Sequence, residues 1–225
     1  MDIINEDKDE DEKRYKINDI QDIRLNNYQG RYGDKPVNKK LDFDISKSDK
    51  VLIQGQNGAG KSTLIDSIIG FNRTYLGDIL YNNKDLRLID LASLWERISY
   101  VSQKTLVFEQ SIRNNIILDK DFDNDKYTKI IKSLGLDRLD DGLIVNEKQN
   151  NLSGGEIQKI LIGRAIYKES DLVIMDEPFS ALDSASIKRL VSRVRDDDRT
   201  YIIIAHNLSK EIRESFDEVI EIEKL

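Results

Sequence analysis

The stretch GQNGAGKST at residues 55–63 constrains this chain more than any other. It fits G-x-x-x-x-G-K-[ST] at each position, follows the apolar run Val51-Leu52-Ile53 and precedes a helix-compatible run over 61–69. A buried strand leading through a glycine-rich turn into a helix is the context in which this pattern binds phosphate. Gly55, Gly58 and Gly60 lack Cβ, so the loop they share with Gln56, Asn57 and Ala59 can aim successive backbone N–H groups at one point. The helix that follows adds its positive N-terminal end. The pattern puts Lys61 within reach of the β- and γ-phosphates, the Ser62 hydroxyl on Mg²⁺ and Thr63 near the α-phosphate. Many nucleoside-triphosphate hydrolases share this loop, and the rest of the chain has to choose among them.

Apolar runs at 172–175 and 201–205 resemble the one at 51–53. Each lies near helix-compatible sequence, at 61–69, 156–167 and 184–195. That alternation predicts an α/β chain built on a mainly parallel sheet. Leu41, Phe43 and Ile45 alternate with charged residues, as in a half-buried strand, and Ile20, Ile23 and Leu25 open a β-rich segment. Between 104 and 160 strand signals thin out, and helices are expected at 111–117 and 125–134. The expected organisation is an acidic tail or linker over 1–16 and one domain over 17–225, with a helical subdomain at about 104–160.

The run at 172–175 leads into Asp176-Glu177-Pro178. Carboxylates at the end of a buried strand sit on the ligand edge of a parallel sheet. Asp176 is placed to hold Mg²⁺, and Glu177 is the candidate base that polarises an attacking water. His206, the one histidine of the chain, follows the run at 201–205 at the same kind of edge. With no cysteine and a single histidine, disulfides and Cys- or His-cluster metal sites are excluded. A formal net charge of −7 argues against a sequence-independent nucleic-acid footprint, and no nucleic-acid partner is expected. No apolar stretch approaches the roughly 20 residues of a membrane helix, and the acidic first residues do not resemble a secretory signal. The chain therefore reads as soluble and intracellular, reaching a membrane through a partner or through a further part of a longer chain.

Between the phosphate loop and the Asp-Glu-Pro turn lies LSGGE, residues 152–156. Ser153 before two glycines at a helix start places a hydroxyl, open N–H groups and a helix dipole at one spot, which makes a second anion site. Phosphate loop, LSGG and strand-Asp-Glu-Pro in that order resemble the ATP-binding cassette (ABC) ATPases. The resemblance covers residues 20–225. It implies a P-loop core with a mainly parallel sheet, an antiparallel β subdomain and a helical subdomain. It also implies ATP and Mg²⁺ as cofactors, and a head-to-tail dimer in which Ser153, Gly154 and Gly155 of one copy cover the ATP held by the other. By the same resemblance Tyr32 stacks on adenine, with Tyr28 as its rival. Gln103 ligates Mg²⁺ and water, His206 contacts the γ-phosphate, and Asp183 in Ser180-Ala-Leu-Asp183 contacts the partner while also suiting a helix cap.

Two further stretches resemble the exporter branch. One is LVFEQSIRNNI at 106–116, where family members meet transmembrane domains. The other is DGLIVNEKQNN at 141–151, in which Glu147 would sense the membrane part and Asn146 and Gln149 depart from the usual glycines. Glu156 and Phe179 stand where the family more often has Gln and Thr. The implied role is an ATPase domain or subunit that powers export from the cytoplasmic, inner face of the cell membrane through transmembrane domains. The alternatives are an importer ATPase subunit, a DNA-repair or translation ATPase, or a nucleotide-binding regulatory module without turnover.

Overall fold

The computed structural model describes residues 14–102, 105–146 and 151–225. The sequence readings on the acidic run before Arg14, and on Gln103, Glu147 and Gln149, lie outside the described residues.

Two sheets carry the chain. The first is antiparallel, in the order β4-β1-β6-β7, and joins β1 (Asp22–Gln29), β4 (Leu41–Ser46), β6 (Leu76–Tyr81) and β7 (Lys84–Asp85). A short hairpin, β2 (Arg31–Tyr32) and β3 (Lys35–Pro36), turns at Gly33. The second sheet is wholly parallel, in the order β11-β5-β10-β9-β8. It comprises β5 (Lys50–Gly55), β8 (Ile98–Val101), β9 (Leu172–Asp176), β10 (Thr200–Ile204) and β11 (Glu218–Ile222).

The continuous apolar runs follow from burial on both faces of this second sheet. Successive side chains point to opposite sides. Val51, Ile53, Leu172, Ile174, Ile202 and Ile204 enter a core shared with the antiparallel sheet, with α1 (Lys61–Ile68) and with α2 (Leu91–Glu96). Leu52, Val173, Met175, Tyr201 and Ile203 enter a second core on the opposite face. That core packs against α3 (Ile112–Ile117), α4 (Asn124–Leu134), α5 (Gly154–Tyr167) and α6 (Ser184–Arg195). Each isoleucine fully withdrawn from water contributes about 2–3 kcal/mol, so the two-sided burial of β5, β9 and β10 anchors the centre of the molecule.

Helix starts follow local chemistry. Ser111, Asp123 and Asp183 cap α3, α4 and α6 by accepting backbone N–H groups with their side chains. Gly135 ends α4 in the left-handed conformation. The chain is bonded into the fold from Tyr15, slightly before the expected boundary at 17. Its backbone exchanges hydrogen bonds with Leu88 and Asp90, and its ring lies under the Lys84 ammonium at 4.6 Å.

Strand register decides what meets at the C-terminal edge of the parallel sheet. Ile204 pairs with Ile53 on one side and with Asp176 on the other, and Ile222 pairs with Gly55. The phosphate loop, Asp176-Glu177 and His206 therefore leave the sheet at nearly the same level. This is where ligands gather in open parallel sheets.

Candidate active site

The phosphate loop runs from the end of β5 into α1. Gly55 has φ 149°, and a Cβ there would lie 2.4 Å from the carbonyl oxygen of Ile222 on β11. Gly60 caps α1 with φ 92° and ψ 15°, and no side chain caps the helix. The N–H groups of its first turn have no intrahelical partner and face the loop. Lys61 is buried, and its Nζ donates to the carbonyl oxygens of Gly55 at 2.7 Å and Gln56 at 3.1 Å. Those two bonds hold the ammonium over the loop.

A cleft of about 400 Å³ opens above it. Asn57, Gly58, Gly60, Lys61, Ser62 and Thr63 line one wall, and Tyr32, Val37, Asp176 and Glu177 complete it. Tyr32 is 84% exposed, whereas Tyr28 is fully buried with its hydroxyl on Ser67 Oγ at 2.9 Å. Of the two tyrosines only Tyr32 can face a ligand. Val37, absent from the sequence reading, lies on the same side. Its one signal is an isolated apolar residue in a polar stretch.

Glu177 is 9% exposed and takes φ 54°, a conformation that side chains seldom adopt. Its N–H donates to Ile204 O at 2.9 Å, and its Oε1 lies 2.6 Å from His206 Nδ1. His206 itself lines an adjacent cleft of about 580 Å³ with Gly55, Gln56 and Asn57. The phosphate loop thus forms a wall between two clefts, and the Glu177–His206 contact joins them around its end.

Burial raises the carboxyl pKa of Asp176. The Glu177 charge adds to that rise, while the Lys61 ammonium opposes it. A carboxylate in that position favours a cation. Its oxygens and the exposed Ser62 hydroxyl are the hard donors that Mg²⁺ takes, one or two per ion with phosphate oxygens and water filling the rest. Among the described residues no cluster of three or more His, Cys, Asp or Glu could hold a metal. The uncapped helix, the lysine over the loop and this donor pair suit a magnesium nucleotide.

Ser153, Gly154 and Gly155 line neither of these clefts. Ser153 caps α5 in a reciprocal capping box with Glu156. A Cβ on Gly155 would sit 2.7 Å from Ala181 O, so the start of α5 packs directly on the turn at 180–183. Asp183 is exposed and accepts the Ser186 N–H at 2.7 Å.

The segment at 106–116, which runs into α3, is tied down by Arg164 on α5. The half-buried guanidinium donates to Leu106 O, Asn115 O and Asn115 Oδ1, at 2.8–2.9 Å. Leu106 and Phe108 remain 67% and 48% exposed, and Phe108 lies under the Arg164 guanidinium at 5.1 Å. Beside them a groove of about 380 Å³ runs between Tyr100, Ile117, Leu118 and Leu161.

The family model of ABC transporters matches residues 38–180, well over half of the chain. The chain belongs to the ABC transporter family. This ABC ATP-binding domain is 32% identical over 213 residues to a Rickettsia bellii protein assigned by name to the export ATP-binding/permease class, covering 90% of the chain and 37% of that protein. It is 34% identical over 209 residues to the ATP-dependent lipid A-core flippase of Pasteurella multocida, covering 87% and 35%. A solved bacterial Atm1-family ABC exporter with ATP bound superposes with a TM-score of 0.81 at 27% identity, covering 92% of the chain and 38% of that structure. The chain spans a little over a third of the length of these relatives. The ABC ATPase fold expected from the sequence, with its parallel sheet, antiparallel sheet and helices, is the one observed. No helix among the described residues is long and apolar enough to cross a membrane.

Proposed function

We propose that this ABC domain hydrolyses ATP to drive an exporter, by closing head to tail on a second copy or a related ATPase domain. The observation that carries the reading is Glu177, buried beside Asp176 in the same cleft as Lys61 and Ser62. The domain of this reading takes in the expected residues 17–225 together with Tyr15, which is bonded to Leu88 and Asp90, and its helical part is the expected 104–160.

In this reading residues 55–63 cradle the phosphates, and Tyr32 stacks on adenine. Ser62, Asp176 and Gln103 hold Mg²⁺. When bound, that ion draws negative charge from the phosphate oxygens and so eases bond cleavage. Glu177 takes a proton from the attacking water, and His206 orients the carboxylate and reaches toward the γ-phosphate. Lys61 stabilises charge on the transferred group. Ser153, Gly154 and Gly155 of the partner close the site, and Asp183 contacts the partner. Most of the rate comes from positioning and fixed charge.

The exposed Leu106 and Phe108, held by Arg164, and the neighbouring groove form the face that meets transmembrane domains, encoded in the same longer chain or as a separate subunit. Glu147 senses the membrane part. The domain then works on the cytoplasmic side of the cell membrane. The names of its relatives favour export over DNA repair or translation.

The test is the MgATPase rate per molecule against protein concentration, with Glu177→Gln as control. A specific rate that rises with concentration and vanishes in the variant supports a composite dimer site. A rate per molecule that is measurable and independent of concentration would overturn it.

A further inference from the structure

The hydroxyl of Ser153 is engaged by the third residue of its own helix. Glu156 Oε2 accepts the Ser153 N–H at 2.9 Å and the Ser153 hydroxyl at 2.8 Å, while Ser153 Oγ accepts the Glu156 N–H at 3.3 Å. Arg138 Nη2 lies 3.4 Å from Glu156 Oε1. The bonds from Ser153 hold the Glu156 carboxyl below its usual range, and Arg138 adds a smaller pull. Glu156 is therefore ionised at neutral pH.

A carboxylate and a phosphate oxygen both accept hydrogen bonds, and a hydroxyl has one proton to give. Ser153 cannot donate to Glu156 and to a phosphate at once. The Glu156 charge also repels an arriving anion at this short range.

We propose that Glu156 is a positioning residue that sets a threshold on ATP-driven closure: Ser153 engages a partner's phosphate only when its hydroxyl leaves the Glu156 carboxylate. This deepens the composite-site reading and rests on it. Arg138 lowers the threshold by screening the carboxylate. A glutamine at 156 keeps the capping box, because its carbonyl still accepts the Ser153 N–H, but it carries no charge.

The experiment uses the whole chain in the Glu177→Gln background. Dimer fraction is measured by light scattering across a MgATP titration, at low and high NaCl. Adding Glu156→Gln is expected to lower the ATP concentration for half-dimerisation by about three- to tenfold, the scale of one partly screened like-charge contact. Arg138→Gln is expected to raise it by about two- to threefold. High salt should narrow both gaps. Unchanged melting temperature of the Glu156→Gln variant keeps the comparison free of folding defects. If the parent dimerises and Glu156→Gln leaves its ATP dependence unmoved, Glu156 is a helix cap alone and this proposal is overturned while the composite site stands. If the parent forms no dimer at saturating MgATP, the composite-site reading fails and takes this proposal with it.

Discussion

His206 Nδ1 and Glu177 Oε1 lie 2.6 Å apart, although 29 residues separate them in the chain. Parallel register brings them together, since β9 and β10 align Asp176 with Ile204. A base and the group that orients it act as a unit. Glu177→Gln and His206→Ala are each expected to lower hydrolysis by about 10²–10⁴-fold. The double variant should be little worse than either single one. Phosphate-release rates at saturating MgATP check this, and multiplicative losses would show that the two side chains act separately. ATP binding by Glu177→Gln should survive.

Lys61 has two backbone acceptors in its own loop, Gly55 O and Gln56 O. Both carbonyls can turn to water once the ammonium is gone, so the fold tolerates its removal. Lys61→Ala is expected to weaken ATP binding by about 10- to 100-fold, the worth of one or two charge-assisted hydrogen bonds. Calorimetric titration reads the loss directly, and unchanged affinity would remove Lys61 from the phosphate site.

Two glycines of the loop are constrained for different reasons. A Cβ at Gly55 meets Ile222 O at 2.4 Å, whereas one at Gly58, with φ 76°, meets nothing within 4 Å. Gly55→Ala must push β11 away and is expected to cost about 2–4 kcal/mol. Gly58→Ala bears only the backbone penalty, about 1–2 kcal/mol. Urea unfolding of both variants separates the cases, and equal losses would mean that β11 yields without cost.

Asp176 ionises with difficulty because burial and the Glu177 charge raise its pKa. A carboxyl with a raised folded value binds its proton more tightly in the native chain than in the unfolded one. Stability is therefore lost as pH climbs from the ordinary carboxylate range through the raised value, and the loss is complete above it. Asp176→Asn escapes this loss. Without nucleotide it should melt above the parent at neutral pH. The gap should close under acid conditions, and MgATP should protect the parent more than the variant. A neutral-pH melting point below the parent would contradict the burial argument.

Strands β5, β9 and β10 were legible because both their faces are covered, which leaves unbroken apolar runs. Strand β11 gives no such run, since Glu221 separates Ile220 from Ile222 and its partner β5 lies far away in sequence. Strand β6 hides its nature behind Gly77. A Cβ there would strike the carbonyl oxygens of Asn26 and Asn27 at 2.4 Å, where the register of β1 slips. The phosphate loop and the Asp-Glu turn could be read from local spacing. The choice between Tyr28 and Tyr32 could not, because it depends on which ring the antiparallel sheet turns inward. The Glu156–Ser153 box had a local sequence signal, an acid three residues after a serine, whose consequence for anion binding needed the geometry.

The contact of Ile222 with Gly55 has a consequence for biosynthesis. Strand β5 leaves the ribosome well before the strand that walls its phosphate loop, which is the last of the described strands to emerge. Parallel pairing over such a separation closes slowly, so the loop waits for β11 before its flank is built. ATP can lend binding energy only to a chain that already presents the finished cradle. Ile220 and Ile222 of β11 also complete one of the two cores, so nucleotide can serve as a late check that the sheet has closed.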